Sequence, residues 1–531
     1  MSEKQSKGSV EAVTVDASPD GSLMTLRHAD DALLAQLGYK SEFKREFSRV
    51  ETVAFAFSIM GVIASVTSTF SFPLVSGGHV GMVFGWFIPS IFVMTVAASM
   101  AELASSMPTS AGLYYFSAKL APAKYSALAS WITGWANITG QVTLRANDYN
   151  CIGGRSDGAI TLGAGPTFGI LLAILFTHGI VCSAATNILA RLNLFYVIVN
   201  VGSTIAAIIA LLVCSGDNRV STRDAFTLFE NNTGWSSSGW AFMLAFTAPM
   251  WTFTGYDSAA HISEETAGAA RAAPLAILIS VGATASLGWL LLIAASFATA
   301  SVSDLLATDL PLPMGQLMLD VLGKKGMLAL WSFIIVVQYV TGAAQGVDAS
   351  RVVFAFARDN ALPGSRWWKK MNRYTQTPVN AVWLRYPLWR GASVSYFFDY
   401  DPSISMKIAS HSAAVLGLYT SYVVPILLRI TSGRDKLVPG PFSLGRWYMP
   451  IGIVAVAWVA FISVLLLFPP GVNPAPGDMN YAVVLVGAVF VFATISWLVS
   501  AHKWFTGPIS NVENEGRIPD PEYHNKEDQS G

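Results

Sequence analysis

The residues best suited to do chemistry lie in a short polar stretch that interrupts apolar sequence. Apolar segments flank residues 248–266, and at the centre stand Thr252, Thr254, Gly255, Tyr256 and Asp257. An aspartate at membrane depth is costly unless it is paired or faces a water-filled cavity. Glycine lets the backbone leave the helix, and unwound backbone at that depth must be buried in protein or line a cavity. The stretch predicts a broken membrane helix that offers N–H and C=O groups to a ligand. The alternative is a glycine-kinked structural helix with a snorkelling aspartate.

A second interruption is predicted in the first apolar span, where a small hydroxyl and a glycine form the run Ser58, Ile59, Met60 and Gly61. Such residues are common at membrane helix interfaces, but a pair of glycine-interrupted spans, five spans apart, indicates a transporter site. The N terminus of a half-helix suits a carboxylate, and freed carbonyls suit an ammonium group. The two breaks together predict a zwitterionic ligand.

Polar residues in or near the spans are the candidates for ion coupling and gating: Asp257, Glu102, Asn193, Asn200, Glu264 and Arg351. Asp257, like the nearby His261, is titratable, and low dielectric would raise the pKa of its carboxyl and let it accept a proton. Alternatively, the Asp257 carboxylate caps or hydrogen-bonds the helix that resumes after Gly255. Glu264 and Glu265 are expected to form gating or structural ion pairs, with Arg351 or Arg358 as partners.

Composition assigns the chain to the membrane. Of 531 residues, 53% are hydrophobic and only 12% are charged, about half the charged fraction of a soluble protein. The net charge is zero, which argues against nucleic acid as a partner. The expected surroundings are the lipid bilayer, and the expected state is a monomer. Three cysteines fit neither a metal site nor a disulfide framework, and no cofactor or metal is predicted.

Apolar runs of about twenty residues predict the membrane spans. Eleven are clear, at Val53–Leu74, Val80–Met100, Ser126–Thr143, Thr167–Ile188, Leu192–Cys214, Gly239–Ile262, Leu275–Ala300, Gly326–Phe356, Ala409–Leu428, Met449–Phe468 and Tyr481–Val499. The loops after the eighth span and after Leu428 are rich in Lys and Arg and should both lie inside. They must be separated by an even number of crossings, so a further span is predicted at Val379–Phe398. Twelve spans follow, with residues 1–49 and 503–531 as cytosolic tails around a permease domain, 50–502. Residues 30–50 of the first tail are predicted to be helix-like and, with the charged run at 40–49, to form an amphipathic segment on the cytosolic face.

Other classes of protein find little support. The sequence has no nucleophile elbow, Walker loop, zinc-protease motif or repeated pore filter, so neither an enzyme nor an ATP-driven pump nor a channel is indicated. With the N terminus inside, residues 215–238 lie outside and carry a glycosylation candidate at Asn231. A second N-x-T motif, at Asn137, lies inside a predicted span and should be unmodified.

Three motifs give the chain a family resemblance. They are A-E-L-A-S-S-M-P-T-S-A-G-L-Y-Y-F-S at Ala101–Ser117, F-T-G-Y-D-S-A-A-H-I-S-E-E-T at Phe253–Thr266, and S-R-V-V-F-A-F-A-R-D-N-A-L-P at Ser350–Pro363. In this order they resemble the amino acid–polyamine–organocation (APC) permeases, and most of all the fungal amino acid/choline branch with the GABA and choline permeases. The resemblance covers about residues 37–503.

The resemblance implies an all-α fold of five-plus-five inverted repeats with two extra helices, in which helices 1 and 6 are discontinuous. It also implies secondary active uptake, usually coupled to the proton gradient. Ser58, Ile59, Met60 and Gly61 would then face the substrate carboxylate, and Phe253, Thr254, Gly255 and Tyr256 its amine end. Proton-coupled relatives often carry a lysine in the fifth span, and this chain has none there.

Two regions depart from the family pattern, Thr143–Pro166 and Leu384–Ser410. Either they reflect frame or splice errors in the coding sequence, or they are genuine and place Arg145, Arg385 and Arg390 inside the bundle. GABA or another amino acid is the expected substrate, with choline or a polyamine as the alternative. A permease-fold nutrient sensor and an inactive product of a faulty gene model are further alternatives. The plasma membrane is the expected location, with the vacuolar membrane as the alternative.

Overall fold

The computed structural model describes residues 19–146, 164–184, 186–310, 312–384, 404–474 and 479–512. Across these residues the fold is helical, and the one pairing of extended backbone is an isolated parallel bridge between Phe47 and Thr266. Most of the two aberrant regions, including Arg145's side chain, Arg385 and Arg390, lies outside the described residues. The predicted ninth span is described only as far as its first helical residues, 379–384.

Nineteen α-helices are numbered in chain order. The first ten are α1 Pro19–Gln36, α2 Arg49–Met60, α3 Val62–Thr69, α4 Ser71–Ser106, α5 Gly112–Leu120, α6 Ser126–Ala146, α7 Ala164–Cys182, α8 Thr186–Cys214, α9 Thr222–Thr227 and α10 Ser238–Leu244. The others are α11 Thr247–Thr252, α12 Ser258–His261, α13 Ala269–Ala298, α14 Val302–Leu306, α15 Pro313–Arg358, α16 Ser365–Trp368, α17 Ile404–Ile430, α18 Tyr448–Leu465 and α19 Ala482–Val499. Short 3-10 turns lie at Ala123–Tyr125, Gly216–Asn218, Ser263–Glu265, Gly445–Trp447 and Ala501–Lys503.

The helices are those of a multi-pass membrane protein. In the described part of the chain, eight helical segments are long and apolar enough to cross a membrane: Arg49–Thr69, Ser71–Ser106, Ile188–Cys214, Ala269–Ala298, Pro313–Arg358, His411–Ile430, Gly445–Leu465 and Ala482–Val499. Gly169–Cys182 is a shorter apolar helix. Large apolar side chains on α8 and α19 are exposed, as expected for helices that face lipid.

Several predicted boundaries are wrong. The division of the predicted sixth span, Gly239–Ile262, among α10, α11 and α12 is not such an error, because a broken helix was predicted there. The fourth and fifth spans meet at Ser183–Ala184 instead of after Ile188. Residues 30–50 do not form one helix: α1 ends at Gln36, and an extended segment leads to α2. That segment is extended because it is held by other parts of the chain, as the Phe47–Thr266 bridge shows.

Two local signals fix the helices around the centre. A capping box starts α2, because the Ser48 hydroxyl accepts from the Glu51 N–H and the Glu51 carboxylate accepts from the Ser48 N–H. Farther along, α6 and α17 cross at two glycines. A Cβ added to Gly417 would lie 2.6 Å from the Gly140 backbone nitrogen. The two backbones are thus in contact, as at other small-residue crossings.

The extended segment Tyr39–Phe47 and the C-terminal residues Ile509–Asn511 lie on the same side of the bundle. The Asn511 N–H donates to the Gly38 carbonyl at 3.0 Å, and the Lys40 N–H donates to the Asn511 side chain at 2.6 Å. We refer to this side, where both tails attach, as the tail face.

Candidate functional site

The first break lies at Gly61, between α2 and α3, as predicted. Gly61 has φ 47° and ψ 62°, a left-handed conformation that favours glycine, and an added Cβ would overlap the Thr341 hydroxyl. The hydroxyl of Thr341 donates to the Ser58 carbonyl at 2.9 Å, and that of Ser65 donates to the Met60 carbonyl at 2.7 Å. No side chain caps the N terminus of α3. Among the described residues, the break therefore pairs these two carbonyls and leaves an uncapped amide end.

The second break lies between α11 and α12, where Gly255 has φ 83°. The backbone groups that the break frees from helical hydrogen bonding are paired with tyrosines of α17. The Tyr419 hydroxyl donates to the Phe253 carbonyl at 2.9 Å, and the Gly255 N–H donates to the Tyr422 oxygen at 3.3 Å. A Cβ added to Gly255 would lie 2.5 Å from the Cγ2 atom of Ile59. The two breaks are therefore in direct contact.

All eight residues predicted to bind the ligand are buried. A small pocket beside the first break is lined by Ser58, Tyr196, Asn200 and Thr341 together with four valines. Within the described chain, neither the Ser58 hydroxyl nor either atom of the Asn200 amide has a hydrogen-bond partner. Buried polar groups are normally paired, so these groups are available to a bound ligand or ion.

Asp257 stands at the centre of a buried polar cluster. Its Oδ1 accepts from the Tyr422 hydroxyl at 2.6 Å, and its Oδ2 accepts from the Asn137 amide at 3.1 Å. The Nε2 atom of His261 lies 3.2 Å from the same Oδ2, and its Nδ1 lies 3.3 Å from the Ser110 carbonyl oxygen. The Asp257 side chain does not cap α12. The capping half of that alternative is therefore wrong, but its other half, a hydrogen bond to the resumed helix, is present at His261. Asp257 is 0% exposed, so the alternative of an aspartate that snorkels to the membrane surface is wrong.

Two buried ion pairs lie at the tail face. Arg351 donates to both oxygens of Glu265, at 2.7 and 3.1 Å. Arg358 donates to both oxygens of Glu264, at 3.0 Å each. Glu264 also accepts from the Ser110 N–H at 3.0 Å. Each predicted glutamate thus has its own arginine, and the two-pronged geometry is the strong form of this interaction.

Two predicted coupling or gating residues make their contacts away from the two breaks. Glu102 accepts from the Ser443 hydroxyl at 3.1 Å and forms an ion pair with Arg429 at 3.6 Å, so it ties α4 to the loop after α17. The Asn193 amide donates to the Leu189 carbonyl one turn earlier in α8, at 2.8 Å. Neither contact reaches the two breaks.

The tail segments meet the end of α15 at Asp359. Its Oδ2 accepts from the hydroxyls of Tyr39 at 3.0 Å and Tyr114 at 2.8 Å, and its Oδ1 accepts from the Ile509 N–H at 3.0 Å. The Arg358 guanidinium lies over the Tyr39 ring, 4.2 Å from its centroid, a cation–π contact. Both tails are therefore attached to the residues that follow and flank the Arg358–Glu264 pair.

Acidic side chains on these tail attachments have shifted pKa values. Burial raises the pKa of Glu42, which lies 3.9 Å from Arg358. Burial also raises the pKa of Asp30, whose carboxylate accepts from the Gly268 N–H at 2.7 Å. The same cause raises the pKa of Asp359. All three shifts arise because the charged form is desolvated.

Sequence reasoning missed several members of the site. Asn137 was considered only as a glycosylation motif, and Thr341, Tyr419 and Tyr422 gave no signal of their own. Asp348 did give one, since a carboxylate inside an apolar span is a functional-site signal. It is 1% exposed and accepts from the Gln141 amide at 2.5 Å.

The glycosylation candidate Asn231 lies in a folded loop. Its amide nitrogen donates to the Trp235 carbonyl at 2.7 Å, and its side-chain oxygen accepts from the Thr233 hydroxyl at 2.7 Å. Attachment of a glycan would replace one of the two hydrogens on this nitrogen. Modification of Asn231 stays a prediction.

The fold and the site define a class before any comparison. The chain is an integral, multi-pass helical membrane protein in which two broken helices meet in a buried polar centre. Comparison with known proteins then identifies the family. Residues 47–490 match the amino acid permease family, and the chain belongs to it and to the APC superfamily. Members of this family are membrane transporters and not enzymes. The resemblance found in the three sequence motifs is confirmed at this level.

Similar proteins occur in plants and in fission yeast. The amino-acid permease BAT1 of Arabidopsis thaliana is 35% identical over 519 residues, which cover 93% of this chain and 99% of that protein. A BAT1 homolog of Oryza sativa is 36% identical, with 91% and 96% covered. An uncharacterized amino-acid permease of Schizosaccharomyces pombe is 36% identical, with 92% and 91% covered.

Proposed function

We propose that this permease imports GABA or another small amino acid by alternating access, driven by the proton gradient. The observation that carries the proposal is the contact of the two breaks, Ile59 against Gly255, beside a pocket whose Ser58 hydroxyl and Asn200 amide lack partners. The uncapped start of α3 suits the substrate carboxylate. The carbonyl groups of the second break suit its ammonium group.

The proposed architecture is twelve spans with a five-plus-five inverted repeat and two extra helices. The tail face is the cytosolic side, with both termini inside and the plasma membrane as the location. The Glu265–Arg351 and Glu264–Arg358 pairs then form the inner gate, which is closed here because all four side chains are buried and paired. Opening towards the cytosol requires that these pairs separate.

The test is uptake in a permease-deficient yeast strain that expresses the full chain. Labelled GABA, neutral amino acids, basic amino acids and choline are supplied separately, with and without a protonophore. We expect an amino acid to accumulate and the protonophore to abolish the accumulation. Accumulation of choline alone would overturn the substrate class, and accumulation that the protonophore does not reduce would overturn proton coupling.

Absence of any uptake leads to a second arm, in which 143–166 and 384–410 are replaced by sequence typical of the family. Recovered uptake would mean that the two regions inactivate this chain. A chain that signals the presence of amino acid without net uptake would be a sensor, and the transport proposal would fail. Sequencing the transcript across both regions decides between coding errors and genuine divergence.

A further inference from the structure

The contacts of His261 require one proton to be held between it and Asp257. The Ser110 carbonyl can only accept a hydrogen bond, so Nδ1 of His261 must carry the proton of that contact. At 3.2 Å, Nε2 then faces a carboxylate oxygen, which also has no hydrogen unless it is protonated. A neutral imidazole donates from one nitrogen only. The Nε2–Oδ2 contact is satisfied when a single proton sits on either atom, and it is repulsive when that proton is absent.

This pair is connected to the breaks on one side. The Tyr422 hydroxyl donates to Asp257 and accepts from the Gly255 N–H. Gly255 in turn packs on Ile59 of the first break. A change of charge on Asp257 therefore alters the hydrogen bond that holds the unwound backbone of the second break.

The pair is connected to the tail-face ion pairs on the other side. Ser110, whose carbonyl accepts from His261, donates its own N–H to Glu264. Glu264 is the partner of Arg358. A displacement of His261 therefore acts on the loop that helps to hold the Glu264–Arg358 pair.

The surroundings contain other titratable groups that act on the pair. Tyr422 and Tyr419 of α17 and Tyr256 of the break lie close enough to interact electrostatically with Asp257. Asp348 of α15 interacts in the same way with His261. From α6, the uncharged Asn137 amide faces the carboxylate. Tyrosine hydroxyls ordinarily ionise only near pH 10, which leaves the side chains of Asp257, His261 and Asp348 as the other acid–base groups among these described neighbours.

We infer that Asp257 and His261 together form the proton-carrying unit of transport, which links the substrate site at the breaks to the gate on the tail face. The inference rests on the proposed proton coupling. A proton that enters with substrate satisfies the Nε2–Oδ2 contact and keeps the gate closed. Opening of the gate to the cytosol favours loss of that proton, because coupling between two sites is reciprocal.

The test uses the purified full chain in lipid vesicles, with the amino acid that accumulates in the yeast assay. Two rates are compared: accumulation driven by an acid exterior, and exchange of labelled for unlabelled substrate at equal pH. The variants are Asp257→Asn and His261→Gln. We expect accumulation to fall by about 10- to 100-fold in each, while exchange stays within about threefold, because exchange needs no net release of a proton.

Asp257→Asn should fold, because it reproduces the protonated carboxyl. Its amide donates to neutral Nε2, and the Asn137 side chain can turn to accept with its Oδ1, which has no partner among the described residues. The matched control is His79→Gln, which changes another buried histidine. The Nδ1 atom of His79 lies 2.9 Å from the hydroxyl of Ser296, a residue distant in the sequence. This variant should keep both rates and their pH dependence.

Each outcome decides something different. Wild-type protein without acid-driven accumulation would overturn the proposed function. Wild-type accumulation that both variants retain would overturn this inference and leave the proposed function standing. A parallel loss of exchange and accumulation in both variants, or failure of both to fold, would also overturn it, since the pair would then be only structural.

Discussion

The centre of the bundle and its tail face differ in how their buried polar groups are paired. On the tail face Glu264, Glu265, Arg351 and Arg358 are buried, and each carboxylate has a two-pronged partner. At the first break, the Ser58 hydroxyl and the Asn200 amide are buried without a partner in the described chain. Within the described chain, the tail-face carboxylates each have an arginine partner, whereas the hydroxyl and the amide beside the first break have none.

The largest effect is expected from breaking a tail-face pair. Arg351→Met should destabilise the protein by about 3–5 kcal/mol, because the Glu265 carboxylate would be left as a buried charge without this partner. The melting temperature of the protein in detergent measures this effect. Adding Glu265→Gln should recover part of the loss, since it removes the stranded charge.

The matched comparison is Asp31→Asn at the Arg45–Asp31 pair, where the aspartate is 50% exposed. An exposed pair contributes at most about 1 kcal/mol, so the melting temperature should hardly change. Equal losses in Arg351→Met and Asp31→Asn would contradict the view that the buried pairs hold the tail face.

The next effect is expected at the second break. Gly255→Ala should abolish uptake and cost about 1–3 kcal/mol of stability, because alanine is strained at positive φ and its Cβ would meet Ile59. Adding Ile59→Ala removes the clash but not the strain, so it should restore only part of the uptake. Initial uptake rates in yeast, normalised to surface expression, measure both.

Gly487→Ala serves as the control for that substitution. Gly487 lies inside α19 and a Cβ there would meet no described atom within 4 Å, so alanine should leave uptake unchanged and favour the helix slightly. Normal uptake in Gly255→Ala would show that the break does not depend on its glycine.

A smaller effect is expected at the first break. Thr341→Val removes the hydrogen bond to the Ser58 carbonyl and leaves that acceptor buried, at a cost of about 1–3 kcal/mol. Because this carbonyl is part of the proposed ligand site, we expect KM for the substrate to rise severalfold with little change in expression. Thr341→Ser keeps the hydroxyl and should therefore keep the KM of the wild type. Equal KM values in Thr341→Val and Thr341→Ser would show that this hydrogen bond does not contribute to substrate binding.

The smallest effect concerns pH at the tail face. The pKa values of Asp30, Glu42 and Asp359 are raised above their ordinary values by burial. Because these pKa values are raised in the folded state, the tail attachments are most stable at pH values below the ordinary pKa values, 3.8 for Asp and 4.5 for Glu. The attachments lose this stabilisation as the pH rises through the raised pKa values. Cleavage of residues 37–48 by added protease should therefore increase with pH across this window. In Glu42→Gln the increase in cleavage with pH should be smaller. An unchanged pH profile of cleavage in this variant would show that Glu42 does not contribute to the effect.

Much of the fold and part of the site could be predicted from sequence. The apolar runs predicted the helices, and the breaks at Gly61 and Gly255 were predicted because glycine and polar residues are unfavourable inside a continuous membrane helix. The pairing of Glu264 and Glu265 with Arg351 and Arg358 was predicted only as a set of alternatives. Which glutamate meets which arginine depends on how α15 packs on the second break, and side-chain types do not encode that packing.

The remaining site residues depend on long-range packing. Tyr422 and Asn137 reach Asp257 because α6 and α17 cross at Gly140 and Gly417. A glycine in an apolar span reports that something approaches closely, but it does not say which helix approaches. The tail segment was mistaken for a helix for a similar reason, since the backbone N–H and carbonyl of Phe47 pair with Glu265 and Ala267, more than 200 positions away.

The glycine crossing of α6 and α17 also has a mechanical consequence. Where two backbones touch, there is no layer of side chains between the helices, so α6 and α17 should move as one rigid unit. Asn137, Tyr419 and Tyr422 belong to that unit, whereas Phe253, Gly255 and Asp257 belong to the broken helix that is hydrogen-bonded to it. In the proposed alternating access, movement of the broken helix against these two helices would act on four hydrogen bonds made by tyrosine or asparagine. The distance that those bonds can stretch before they exchange partners would then limit the movement.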